Sequence, residues 1–185
     1  YDLLRSSLRH RPEYIVVGEV RGEEAAALYE AMRVGAAGET VLGTIHGEDP
    51  EAVQERVVTD LGVSPSSFAA TDLIVVLDDH RVETIAEVVG HDEGASFEPL
   101  FERSGAGLSP TGRIDRGESR LVESLAETGE SYAAVRSAID RRGERVGESA
   151  RTGRIAPERY VDRDGDARGR SDGPRKDGDF DGGDR

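Results

Sequence analysis

The sequence predicts an α/β fold with a mostly parallel sheet and an antiparallel extension. Strand-like and helix-like segments alternate over the first 61 residues, which is typical of βα units. The runs 14–17 and 71–77 are short and almost entirely apolar, as in strands buried on both faces. From residue 71 onward, strand-like segments follow one another directly, which predicts the antiparallel extension.

The first predicted elements are a helix over 1–11 and a strand over 14–17. Pro12 ends the helix, because the residue before proline is pushed out of helical geometry. The strand is followed by a predicted turn over 18–22. The apolar stripe of the helix consists of Leu3, Leu4 and Leu8.

Two further helices enclose a second predicted strand. Residues 23–34 are rich in Ala, Leu and Glu and predict a helix. The strand over 39–45 carries His46 at its end. The next helix is predicted over 50–61, because it begins with proline and Asp49 can serve as its N-cap.

The following segments predict a run of strands. The third strand is predicted over 71–77 and is interpreted as a second buried strand. Residues 81–89 alternate in polarity and predict a strand that pairs with it through a turn at 78–79. A further short strand is predicted over 97–102.

The C-terminal third is predicted to differ in character from the rest. Short polar helices are predicted over 120–127 and 131–142. The acidic tail is rich in Asp, Gly and Arg and is predicted to be disordered, since it has almost nothing to bury. We therefore predict an α/β domain over 1–118, a short helical extension over 119–147 and a disordered tail over 148–185.

Composition narrows the classes of function. The net charge of −14 argues against nucleic-acid binding, because phosphates would be repelled. Of the 24 basic residues only Lys176 is lysine. Such an acidic, lysine-poor chain is typical of proteins from a halophilic cytoplasm, where the Debye length is ~3 Å near 1 M salt; a GC-rich genome is the alternative reading. There is no cysteine and no apolar run of the ~20 residues that span a bilayer.

Two side chains at predicted strand ends are candidates for chemistry. Glu19 and His46 each follow a strand, and the carboxyl ends of parallel strands meet at one edge of a sheet. A carboxylate there can orient a water molecule, and an imidazole can donate to a phosphate oxygen. The structural alternatives are a turn carboxylate and a solvent-exposed histidine. Arginines near the first strand could stabilise phosphoryl charge or form surface ion pairs, namely Arg5, Arg9 and Arg21.

The motifs occur in an order that resembles a known superfamily. LLRxxLRxxPxxIxVGEVRG is followed by an Ala-rich helix and then by GTIHGxxPxxxxxR. This order resembles the type II/IV secretion ATPases, which power type II secretion, type IV pili and archaeal flagella, and is most similar to their archaeal branch. The resemblance covers residues 1–77 well and extends loosely to about residue 125.

The resemblance implies a RecA-like fold, a hexamer and specific roles. Gly18 and Glu19 match the family's Walker B motif, in which the glutamate orients water. His46 matches the histidine of the His box, which senses the γ-phosphate. Thr44 lies in the same box, and we assign it no role at this point. The arginines that match family positions closing the nucleotide site or linking subunits are Arg5, Arg9 and Arg21.

The sequence lacks the Walker A loop, GxxxxGK[ST], and the family's Asp box. The resemblance therefore implies the C-terminal part of an ATPase that is inactive alone, with ATP and Mg²⁺ bound mainly by the missing N-terminal part. The implied partners are further copies in a homohexamer and a membrane platform protein. The implied location is cytoplasmic and peripheral at the inner face of the cell membrane.

Two alternatives stay open at this point. The chain could be a non-catalytic assembly or regulatory subunit that retains the ATPase fold. A metal site is a weaker alternative, since its candidate ligands have irregular spacing, and the site prediction therefore includes no metal. These candidate ligands are His46, Glu48, Asp49, His80 and His91.

Overall fold

A computed structural model describes residues 14–34, 40–91, 94–105 and 107–153. The helix predicted over 1–11 and the tail from residue 154 onward lie outside the described residues. The chain divides into two compact units, residues 1–139 and residues 140–185. The predicted boundaries after residues 118 and 147 stay predictions.

The N-terminal part of the first unit is a parallel β–α–β arrangement. Strand β1 spans Tyr14–Val17, helix α1 spans Glu24–Val34 and strand β2 spans Thr40–Gly43. The two strands pair in parallel, with Val16 opposite Leu42. These elements confirm the predicted strand, helix and strand, although β2 is shorter than predicted.

The next helix begins as the sequence predicts and ends in a wider turn. Helix α2 spans Pro50–Glu55, and the Asp49 side chain accepts a hydrogen bond of 2.7 Å from the backbone N–H of Ala52. The chain continues as a π-helical turn over Arg56–Asp60. A short helix that the sequence did not predict, α3, follows at Pro65–Phe68.

The second sheet is antiparallel and has four strands in the order β3-β4-β5-β6. Asp79 and His80 form the turn between the first two strands, with φ of 43° and 60°. Two consecutive positive φ values are the geometry of the two-residue hairpin turn that matches the twist of the strands. The strands are β3 (Leu73–Asp78), β4 (Arg81–His91), β5 (Gly94–Ser104) and β6 (Gly107–Pro110).

This topology corrects the prediction of a mostly parallel sheet. Within the described residues, parallel pairing is limited to β1 and β2. Strand β3 is not buried on both faces, because Ile74 and Val76 are buried while its three exposed apolar residues alternate with them. Strand β3 pairs in antiparallel fashion with β4 because the connection between them is short, and a two-residue turn can join only antiparallel neighbours. The exposed residues are Leu73, Val75 and Leu77.

Three helices follow the antiparallel sheet. Helix α4 spans Arg113–Arg116, α5 spans Arg120–Ser124 and α6 spans Tyr132–Arg151. The last two confirm the predicted polar helices, and α6 is longer than predicted. Strand β6 and helix α4 were not predicted.

The core of the first unit joins its two sheets. Phe68 is fully buried, and its ring centroid lies 6.0 Å from that of Tyr29 on α1 and 6.3 Å from that of Phe97 on β5. Ile74 and Val76 belong to the same apolar cluster as residues of α1 and α2. Burial raises the pKa of the Tyr29 hydroxyl. One apolar core therefore fixes β1 and β2 through α1.

A buried carboxylate connects β4 to the start of α5. Glu87 is 1% exposed, and its Oε2 accepts hydrogen bonds from the Ser119 hydroxyl at 2.6 Å and from the backbone N–H of Leu121 at 3.2 Å. Its Oε1 accepts from the backbone N–H of Arg120 at 3.3 Å. Ser119 is also the N-cap of α5. The carboxylate thus satisfies donors at a helix end that has few intrahelical partners.

The second unit is described over residues 140–153. It contains the C-terminal half of α6, and Gly153 follows the helix with a φ of 63°. A left-handed glycine at this position is a common helix ending. Among the described residues, no helix combines the length and the apolar character required to cross a membrane.

Candidate functional site

The candidate site lies at the carboxyl ends of the two parallel strands. Glu19 follows β1 by two residues, and His46 follows β2 by three. His46 Nε2 lies 3.1 Å from Glu19 Oε1. Both side chains reach solvent, with exposed fractions of 35% for Glu19 and 75% for His46. The structure therefore brings the two predicted residues together at an accessible edge of the sheet.

Arg21 contacts the same carboxylate oxygen. Its Nε donates a hydrogen bond of 2.6 Å to Glu19 Oε1. Among the described residues, Arg21 and His46 both contact Oε1 of Glu19, so these two side chains leave Oε2 able to accept from a water molecule. The Arg21 side chain is 70% exposed, so solvent screens the pair strongly.

The turn that carries Arg21 is held by the first residue of α1. Glu24 Oε1 accepts hydrogen bonds from the backbone N–H groups of Arg21 at 2.6 Å and Gly22 at 2.9 Å. These hydrogen bonds hold the pKa of the Glu24 carboxyl below its usual value, and the bond from the Arg21 N–H has the largest effect. The carboxylate also lies at the N-terminal end of the helix, where negative charge is favourable.

Thr44 binds the turn after β1 to the end of β2. Its backbone N–H donates to the carbonyl of Val17 at 3.3 Å, and its own carbonyl accepts from the N–H of Val20 at 2.8 Å. Its hydroxyl donates to the carbonyl of Gly18 at 2.5 Å. Sequence reasoning named Thr44 without assigning it a role, and its position two residues before His46 was the available signal.

Gly47 is required by a close approach that the sequence did not reveal. A Cβ on Gly47 would lie 2.5 Å from Val53 Cγ2 and 3.1 Å from the backbone nitrogen of Val53. At Gly18 a Cβ would meet nothing within 4 Å. The absence of a side chain at Gly47 therefore allows the loop after His46 to lie against α2, whereas steric room does not explain the glycine at Gly18.

We expect Gly47→Ala to destabilise the chain and Gly18→Ala to have little effect. Overpacking typically costs about 1–3 kcal/mol, while a substitution into open space stays within about 0.5 kcal/mol. Urea unfolding of both variants at constant high salt measures the two free energies. Equal unfolding midpoints for the two variants would contradict the packing of Gly47 against Val53.

Other predicted residues are not brought to this site by the described structure. Arg5 and Arg9 lie outside the described residues. Within the described part of the chain, no three His, Asp or Glu side chains form a group that could hold a metal ion. The metal site considered from His46, Glu48, Asp49, His80 and His91 is thus not formed there.

Comparison with known proteins places the chain in a family. The sequence model of the family described as "Type II/IV secretion system protein" matches residues 1–152. That span includes β1, β2, the candidate site and both described sheets. The match therefore covers most of the chain and not only its motifs.

Curated relatives are similar over shorter segments. An uncharacterised protein of Methanocaldococcus jannaschii, MJ1287, is 52% identical over 56 residues, which are 30% of this chain and 20% of that protein. The competence protein ComGA of Streptococcus pneumoniae is 40% identical over 68 residues, 37% of this chain and 21% of ComGA. The type IV pilus assembly ATPase TfpB of Acinetobacter baylyi is 37% identical over 75 residues, 40% of this chain and 12% of TfpB.

The matched segments span about a fifth or less of these relatives. The family match is independent of that partial coverage, because it extends over residues 1–152. Because the family model matches residues 1–152, which is most of the chain, the chain belongs to the type II/IV secretion system protein family.

Proposed function

We propose that this chain is the C-terminal part of a hexameric, RecA-like ATPase that powers type II/IV secretion or the assembly of a type IV pilus or archaellum. The observation that carries the proposal is the 3.1 Å contact between Glu19 and His46 at the ends of two parallel strands. Family membership supports it, as do relatives named as a type IV pilus assembly ATPase and a type II secretion system protein.

The proposed chemistry divides the work between two side chains. Glu19 orients the attacking water through the carboxylate oxygen that Arg21 and His46 leave open. His46 contacts the γ-phosphate, because an imidazole N–H can donate to a phosphate oxygen. Phosphoryl transfer depends mainly on positioning and charge stabilisation, and a rigid strand edge supplies positioning.

Mg²⁺ and most contacts to ATP are assigned to another part of the full-length protein. Mg²⁺ in such sites is usually bound by one or two carboxylates together with phosphate oxygens, and it neutralises charge on the phosphates. Among the described residues, Glu19 is the acidic side chain that contacts His46, and it could hold the ion through one oxygen or a bound water. The described residues therefore fit a supporting position and not a complete magnesium site.

An exposed apolar surface supports the assignment of this chain to a larger domain. On one face of the parallel pair, Tyr14 is 66%, Val16 71% and Leu42 55% exposed. Large exposed apolar patches mark surfaces that other polypeptide covers. We propose that the nucleotide-binding part of the full-length protein packs on this face. The proposed partners are further copies in a homohexamer and a membrane platform protein, with the motor at the inner face of the cell membrane.

The second candidate is a non-catalytic assembly or regulatory subunit. The absence of GxxxxGK[ST] from the sequence favours it if no loop of this kind is encoded upstream, because without that loop the phosphates lose their usual backbone cradle and lysine. A phosphate-binding loop encoded upstream in the same reading frame would favour the motor instead.

We expect the 185-residue chain to show no ATP hydrolysis, and a version extended upstream along its gene to bind and hydrolyse ATP. The reason is that phosphate binding by a glycine-rich loop is supplied only by the extension. The measurement is ATP binding and phosphate release with Mg²⁺ in high salt for both proteins. If neither protein binds ATP, the assembly subunit becomes the better account.

A further inference from the structure

Thr44 makes contacts on both sides of Glu19 in the sequence. Its backbone bonds reach Val17 and Val20, and its hydroxyl bond reaches Gly18. No side chain at position 44 is needed for the two backbone bonds. The hydroxyl therefore adds one connection that depends on the identity of residue 44.

The hydroxyl bond fixes the peptide plane that leads into Glu19. The carbonyl of Gly18 and the N–H of Glu19 belong to one planar peptide unit. A donor held on that carbonyl restricts rotation of the whole unit, and so restricts the direction in which Glu19 leaves the backbone. Gly18 has no side chain to contribute such a restraint, and a Cβ built there would meet none of the described atoms within 4 Å.

Thr44 also helps to position the backbone of His46. Thr44 is followed by Ile45, which packs against the apolar core, and then by His46. Anchoring Thr44 to the first turn and Ile45 to the core sets the start of the histidine side chain. The Thr44 hydroxyl bond therefore connects the backbone that carries Glu19 to the backbone that carries His46, and Glu19 Oε1 and His46 Nε2 lie 3.1 Å apart.

We propose that Thr44 is a positioning residue that holds Glu19 and His46 in register through its hydroxyl bond to the Gly18 carbonyl. The expected effect on kcat rests on the proposed ATPase function. The expected effect on the positions of Glu19 and His46 does not depend on that function. Thr44 acts through Glu19 and His46 and is assigned no contact with substrate.

The effect of losing the hydroxyl should appear in turnover and not in folding. Thr44 is exposed, so water can replace the lost bond and the net contribution to stability is small. Catalysis depends on the direction of the carboxylate, and a misplacement of about 1 Å can cost up to about a hundredfold in rate.

The test compares Thr44→Val, Thr44→Ser and Thr40→Val in the upstream-extended protein. Thr44→Val removes the hydroxyl and keeps the branched shape, Thr44→Ser keeps the hydroxyl, and Thr40→Val makes the same change at an exposed position of β2. We expect Thr44→Val to lower kcat about five- to fiftyfold with KM and Tm nearly unchanged, and Thr44→Ser to retain kcat within about threefold. Thr40→Val should match the wild type.

A second measurement uses the 185-residue chain and needs no ATP hydrolysis. NMR signals of the His46 imidazole should shift in Thr44→Val and stay in place in Thr44→Ser and Thr40→Val. Thr44→Ala repeats both measurements if Thr44→Val does not fold. Unchanged kcat and unchanged His46 signals in Thr44→Val would overturn the proposal, as would equal losses in Thr44→Ser. If the extended wild type does not hydrolyse ATP, the proposed function fails, and the imidazole signals still decide the role of Thr44.

Discussion

Glu19→Gln in the full-length protein is expected to lower ATP hydrolysis by about two to four orders of magnitude and to leave ATP binding largely intact. Glutamine keeps the size of the side chain but cannot accept a proton, and general-base catalysis typically contributes such a factor. The phosphate contacts are assigned to other residues, so affinity should change little. Steady-state phosphate release and equilibrium binding of a fluorescent ATP analogue measure the two effects.

Glu23→Gln is the matched control for this prediction. Glu23 is an exposed acid four residues away, on the same connection between β1 and α1. It should retain full hydrolysis. Loss of ATP binding together with hydrolysis in Glu19→Gln would count against water activation as the role of Glu19, since the substitution would then act on the binding of substrate.

Glu87→Ala is expected to destabilise the chain by about 2–4 kcal/mol. The substitution removes the buried acceptor of the Ser119 hydroxyl and of the backbone N–H groups of Arg120 and Leu121. A buried donor left without a partner costs about 1–3 kcal/mol, and bonds to charged groups lie at the upper end of the range. Urea unfolding at constant high salt, followed by circular dichroism, measures the loss.

Glu102→Ala provides the comparison on the same sheet. Glu102 lies on β5 and is exposed, so its removal should change the free energy of unfolding by no more than about 0.5 kcal/mol. Similar losses in both variants would show that the carboxylate of Glu87 does not hold α5. Because the site of Glu19 is built from other elements, ATP binding by the folded fraction of Glu87→Ala in the upstream-extended protein should be retained.

Local sequence signals were sufficient where neighbouring residues decide the structure. Asp49 and Pro50 predicted the start of α2, because an N-cap acceptor and a fixed φ act within one turn of the chain. The apolar run at 14–17 likewise predicted β1. The short helices at 65–68 and 113–116 were not predicted, since four residues are too few to show a helical period.

Burial patterns were a weaker guide for β3. A nearly continuous apolar run predicted a strand buried on both faces, yet Val75 is 42% and Leu77 64% exposed. The apolar composition of a strand shows that both faces could be buried, but it does not show which other element packs on each face. Among the described residues, only one face of β3 packs against other elements, namely the face whose residues Ile74 and Val76 belong to the apolar core.

By itself the sequence predicted that Glu19 and His46 lie together at one edge of a sheet. Glu19 and His46 each follow a strand, and parallel strands deliver their carboxyl ends to one edge, so a local pattern and a general topological rule were enough to name them. The acidic composition and the absence of GxxxxGK[ST] are likewise properties of the sequence alone.

Only the tertiary structure decided how these residues are held. Three contacts show this, and no local sequence pattern predicted any of them. They are the hydroxyl bond of Thr44 to Gly18, the packing of Gly47 against Val53 and the hydrogen bond between buried Glu87 and Ser119. The physical reason is that hydrogen-bond geometry and close packing depend on separations of tenths of an ångström between chain segments, whereas periodicity and composition describe one segment at a time.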